Sequence, residues 1–170
     1  MKKKSGFTVV ELLIVLLLLG ILVALTLGIG DSVTTNSRIT GLINNFLADF
    51  SSAKLLASAE NRYVAITFSN DGRSYTLQKQ TDVSNYNNWT LVKTVTPFSD
   101  RTFFNTGTLS DFAINSTGEV RTLPININSN PVNVSLVFYI RRGRGTSSDP
   151  IAYQRTIQIF PYGGLKVEKN

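Results

Sequence analysis

Few side chains in this sequence can do chemistry. The 170 residues include no cysteine and no histidine. That excludes a thiol nucleophile, a disulfide framework and a Cys-ligated zinc. It also removes the usual general base and the commonest metal ligand. Carboxylates remain, but acid–base work with them needs two acids brought together. Asp31, Asp49, Glu60, Asp71, Asp82, Asp100, Asp111, Glu119, Asp149 and Glu168 are scattered along the chain. Most stand in turn contexts, where Asp is favoured for backbone reasons, so each reads as a solvated turn residue. No catalysis, no metal site and no cofactor are expected.

Two places are sharper. The stretch "RRGRG", Arg141 to Gly145, puts Arg141, Arg142 and Arg144 into one loop. Such a loop can hold phosphates, with an affinity that falls steeply with salt. No aromatic interleaving for base stacking is read around it, so a solvated hairpin loop is preferred and nucleic-acid contact is the alternative. The second place is Glu11, alone in "FTVVELLIVLLLLG". A carboxylate at the centre of a lipid-facing helix costs about 2.5–3.5 kcal/mol even on a lenient insertion scale. Its retention asks for a partner or a headgroup-level position.

The elements that position these residues follow from the pattern. From Leu12 to Gly30 no residue is charged, and Leu, Ile and Val dominate. Counted from Phe7, the apolar run reaches roughly 36 Å as a helix at about 1.5 Å per residue, enough to cross a bilayer with tilt. Lys2, Lys3 and Lys4 keep the N-terminus cytoplasmic and send the rest across. They also account for part of the net charge of +6: without them 14 basic residues face 11 acidic ones, a balance of +3. A cleaved secretory signal is the competing reading, but its apolar core should be shorter, and "ALT" at Ala24 to Thr26 is a poor cleavage site.

Gly6, Phe7, Thr8 and Glu11, followed by the aliphatic run, resemble the N-terminus of a type IV pilin or pseudopilin. The resemblance implies that residues 1–6 are a leader, that prepilin peptidase cuts between Gly6 and Phe7, and that Phe7 is then N-methylated. It implies that Glu11 is the family's glutamate for assembly. Physically, a carboxylate on one subunit can neutralise the N-terminal amine of another, which escapes much of the desolvation cost and fixes axial register. Gly28 stands where many members have Pro.

Residues 7–30 are thus read as the transmembrane and filament-core segment, and 31–61 as its amphipathic continuation. Ile39, Leu42, Ile43, Phe46, Leu47, Phe50 and Ala53 recur at spacings of 3 and 4, one face of a helix predicted to end near Asn61. Residues 62–170 read as an antiparallel β head. Strands are predicted at Tyr63–Phe68, Ser74–Gln78, Trp89–Val95, Phe103–Phe104, Asp111–Ile114, Val120–Leu123, Val132–Ile140, Tyr153–Phe160 and Leu165–Val167. Val132–Ile140 and Tyr153–Phe160 are expected to be the longest. "SNDGR" and "NSTGE" read as turns through Gly72 and Gly118, and "SNYNN" as a polar loop.

The fold class is α+β: a long N-terminal helix packed on a head of two small sheets. The junction "SSAKLLASAENRYVAITFSNDG", with "FAINSTGEV" and "IQIFPYGGLKV", is similar to the GspH/FimT group of minor pilins and pseudopilins, with Lys54 where the group has Arg. The resemblance implies a minor subunit near the tip of a type II secretion pseudopilus or type IV pilus. Its partners would be other pilins in a hetero-oligomeric filament, prepilin peptidase and the inner-membrane assembly platform. It would sit single-pass in the bacterial inner membrane with its head outside the cytoplasm before entering the filament. Some FimT-type members capture DNA through a basic Gly-Arg motif near the C-terminus. The aligned segment here, Gly163 to Lys166, lacks those arginines.

Overall fold

The protein was studied as a computed structural model. It describes residues 8–82, 84–96, 101–104, 111–141 and 149–169, with backbone alone for 25–34, 87 and 104. One helix, α1 (Val9–Glu60), precedes nine strands: β1 (Val64–Phe68), β2 (Tyr75–Asp82), β3 (Asn85–Val95), β4 (Thr102–Phe104), β5 (Phe112–Ile114), β6 (Val120–Thr122), β7 (Val134–Arg141), β8 (Ile151–Ile159) and β9 (Leu165–Lys169). The chain divides into two compact units, Met1–Ser37 and Arg38–Asn170.

In the first unit every large apolar side chain from Val9 to Val23 is exposed, between 43% and 75%. Among the described residues no helix is long and apolar enough to cross a membrane. The sequence's uncharged run continues to Gly30, past the last side chain described in that stretch.

In the second unit α1 is one-faced. Ile39, Leu42, Ile43, Phe46, Phe50, Ala53 and Ala57 are buried, a spacing of 3 and 4 that keeps them on one stripe. Leu47 lies at the margin of that core, half-buried. The helix ends because Asn61 turns left-handed, φ 50°, and Arg62 N–H donates to the Ala57 carbonyl at 3.1 Å. That bond satisfies a carbonyl of the last turn, and Asn tolerates the conformation better than most residues.

Two antiparallel sheets follow, ordered β3-β2-β1-β5-β6 and β4-β7-β8-β9. Phe46 joins them to the helix. Its ring meets Tyr75 of the first sheet at 5.5 Å and Phe138 of the second at 5.3 Å, both edge-on. Edge-on geometry adds to area burial because ring edges and faces carry opposite partial charge. Both predicted turns form. Gly72 and Gly118 take φ 67° and 86°, and Asn115 Oδ1 accepts from the N–H groups of Thr117 and Glu119 at 3.0 and 2.8 Å.

Two sequence expectations are corrected. "SNYNN" is not merely a loop: Asn85 to Asn88 belong to β3, which at 11 residues is longer than β7 or β8. Backbone pairing of Asp82 with Asn85 and Gln80 with Trp89 recruits it. Nor is Asp49 a solvated residue. It is 8% exposed on the inner stripe of α1. It accepts from Tyr75 Oη at 2.8 Å and pairs with Lys93 Nζ at 2.6 Å.

Candidate functional site

The start of α1 is built by Thr8. Its Oγ1 accepts from Glu11 N–H at 3.3 Å, and its carbonyl accepts from Leu12 N–H at 3.2 Å. Thr8 is therefore the N-cap, satisfying an amide that the first turn leaves without a helical acceptor. Glu11 becomes the third helical residue, in the first turn, where the peptide dipoles favour a carboxylate. Threonine followed three positions later by glutamate is itself a capping pattern, a signal the sequence reading passed over. Glu11 is exposed.

Beyond Glu11 the helix offers apolar side chains in every direction. Leu16, Leu17, Leu18 and Leu19 are consecutive and all exposed. At 3.6 residues per turn, four successive positions sweep the whole circumference. A helix apolar all round belongs in a core or a membrane. Gly6 and Phe7 lie outside the described residues.

In the second unit, Arg141 is described, while Arg142 and Arg144 lie outside the described residues. Arg141 ends β7, half-buried, and its Nη1 donates to the Asp149 carbonyl at 2.7 Å. Its guanidinium lies 5.8 Å from the Phe103 ring centre and 5.3 Å from that of Tyr139. Arg73, from the β1–β2 turn, lies 5.1 Å over Phe103. Phe103 and Tyr139 face each other across β4 and β7, stacked at 5.6 Å. Aromatic rings are thus interleaved with these arginines, contrary to the sequence reading. The ring that the local sequence lacks is supplied by the partner strand. Phe103 is 7% exposed, so it holds guanidiniums and leaves no face for a base.

Three segments of the junction also converge. Lys54 Nζ donates to the Gly163 carbonyl at 3.1 Å. Gly163 takes φ +71°, and a Cβ there would fall 2.9 Å from the Gly118 oxygen and 2.9 Å from Lys54 Nζ. Only glycine fits. The helix lysine, the β5–β6 turn and the β8–β9 turn are one clasp. Five residues before Lys54 on the helix, Asp49 ties α1 to β2 and β3. Burial, then the hydrogen bond and charge of Asp49, push the Tyr75 phenol far above its ordinary value, so it stays a donor.

Residues 1–27 match the family model described as a prokaryotic N-terminal methylation motif. The match supports a type IV pilin-like protein, processed by prepilin peptidase, methylated at its new N-terminal phenylalanine, membrane-anchored and then assembled with other pilins. No curated protein and no solved structure matches the chain.

Proposed function

We propose that the chain is a non-enzymatic minor subunit of a pilin-like filament. It is of the GspH/FimT kind and serves near the tip of a type II secretion pseudopilus or type IV pilus. In this reading it waits as a single-pass protein of the inner membrane, N-terminus in the cytoplasm, and the assembly platform then moves it into the filament. Prepilin peptidase cuts between Gly6 and Phe7. The observation that carries the reading is the exposed, all-round apolar helix from Val9 to Val23, capped by Thr8 and carrying a single carboxylate in its first turn. Such a surface is stable only when lipid or neighbouring helices cover it. Neighbouring helices also bring N-terminal amines within reach of Glu11, and pairing offsets the cost of its charge.

Co-expression with a prepilin peptidase tests this. Intact mass should show loss of residues 1–6 and gain of a methyl group on Phe7. Glu11→Val should insert normally, because a charge leaves the apolar run, yet be depleted from sheared filaments. A mature N-terminus near Thr26, or undiminished incorporation of the Val variant, overturns the reading.

A second reading, a DNA-capturing minor pilin, is favoured by one observation: Arg73 and Arg141 are both held against Phe103. Ring contacts pre-position the guanidiniums, which lowers the entropy cost of meeting phosphates. Two phosphate contacts predict a log–log salt slope of about −2 in DNA titrations. Under the filament reading, DNA binding by the detergent-solubilised chain fades before physiological salt. Micromolar binding that persists there, and whose slope drops by about one in Arg73→Ala, places capture ahead of scaffold.

A further inference from the structure

Four stretches of chain meet where Asn61 ends α1. Arg62 and Tyr63 lead into β1, Gln80 comes from β2 and Tyr86 from β3, and Asn115 and Ser116 come from the β5–β6 turn. With Asn61 they line a half-open cavity of about 200 Å³. Its floor is fixed. Gln80 is 1% exposed; its Oε1 accepts from Tyr63 N–H at 3.3 Å and its Nε2 donates to the Asn85 carbonyl at 3.4 Å. Arg62 Nη1 donates to the carbonyls of Gln80 and Thr81. The Tyr63 and Tyr86 rings meet edge to face at 5.8 Å and 78°.

The rest of the lining is unspent. Asn115 uses its carboxamide within its own turn and on the Tyr63 phenol. Among the described residues, the Asn61 carboxamide, the Ser116 and Tyr86 hydroxyls and Arg62 Nη2 make no hydrogen bond to protein. No carboxylate lines the cavity; Asp82 acts on Arg62, and Glu119 and Arg121 act on Tyr63, from outside the lining. Burial holds the Tyr63 phenol above its ordinary value, so that wall stays neutral.

We propose that this cavity binds one neutral saccharide ring of a glycan. Two tyrosine rings stand beside five polar residues in the lining, and convergent polar groups fix a small ligand's orientation. A tyrosine face suits the C–H surface of a sugar. Vicinal sugar hydroxyls, each both donor and acceptor, match a carboxamide, two hydroxyls and one arm of a guanidinium. Size agrees: at about 30 Å³ of liquid volume each, roughly six or seven waters fill 200 Å³, and a hexopyranose replaces them with a similar number of oxygens on one ring. A free amino acid fits less well, because the lining itself holds no carboxylate for its ammonium, and Glu119 behind it is already paired with Arg121 and Asn115. Phosphate fits less well too, because the sole cation in the lining has committed Nη1 to two carbonyls. The site is independent of the filament role.

The test uses the full chain in a zwitterionic detergent without a sugar headgroup. Saturation-transfer NMR with cellobiose and with chitobiose should show transfer from protein to one sugar ring, at an affinity on the order of millimolar. Tyr86→Leu should reduce it about tenfold. Asn61→Gly, which keeps the left-handed backbone and removes the carboxamide, should reduce it several-fold with an unchanged melting midpoint. No transfer to either disaccharide, equal transfer in Asn61→Gly, or displacement by inorganic phosphate or glutamate overturns the proposal.

Discussion

Val9 to Val23, the upper stretch, and Ile39 to Ala57, the lower, are parts of the same helical element; 13 of 15 residues are apolar in the first and 11 of 19 in the second, and their fates differ. In the lower stretch apolar residues recur at 3 and 4, and the chain's own sheets bury them. In the upper stretch they occupy successive positions, and all remain exposed. The difference lies in arrangement as well as in hydrophobicity. A stripe is as wide as one neighbour can cover; a full cylinder needs neighbours on every side, which one small head cannot provide. The lower stretch therefore contributes to the stability of the fold, and the upper one to association.

The sharpest way to break this contrast is to remove one large side chain from each stretch. Phe46→Ala deletes the ring shared by both sheets and should cost about 3–5 kcal/mol, read as a fall in the urea midpoint of the detergent-solubilised chain. Leu16→Ala should leave that midpoint within about 0.5 kcal/mol while lowering the fraction recovered in filaments. Similar stability losses in the two variants would show that the upper helix belongs to the fold after all.

A smaller effect sharpens the account of the lower stretch. Tyr75→Phe leaves the buried Asp49 with Lys93 alone and should cost about 1.5–3 kcal/mol, the range for a hydrogen bond to a charged group. The sign with pH is set by the raised phenol. Above about pH 10 the unfolded tyrosine loses its proton while the folded one keeps it, so stability present below pH 10 declines as pH rises. Urea titrations at pH 8 and pH 11 should show that decline in the wild type and a smaller one in Tyr75→Phe. Parallel declines would remove Tyr75 from the alkaline limb.

How far the sequence carried the fold can be judged at particular residues. The stripe from Ile39 to Ala53 and the turns at Gly72 and Gly118 were legible because each is a local rule. Asn85 to Asn88 were not, since three of the four are asparagines of low strand propensity, and they join β3 only by pairing with β2. Their turn is set by Asp82 Oδ1 accepting from Ser84 N–H at 2.9 Å. Asp49 could have been found, because it sits three residues after Phe46 and four before Ala53, on the stripe itself. The Arg141–Phe103 contact could not, because strand register alone brings β4 to β7. At the candidate site, the Glu11 neighbourhood was readable as a motif, while the cavity at Asn61 draws on four stretches that no spacing connects.

The clasp at Lys54 also sets a schedule. Its bond to Gly163 spans 109 residues, almost to the end of the chain. Contacts of that separation close late, since the loop entropy must be met before the contact rewards it. A ribosome emits the apolar segment well before the β8–β9 turn. The clasp cannot close until the β8–β9 turn has arrived, so the apolar segment is made well before this tie between helix and head can form.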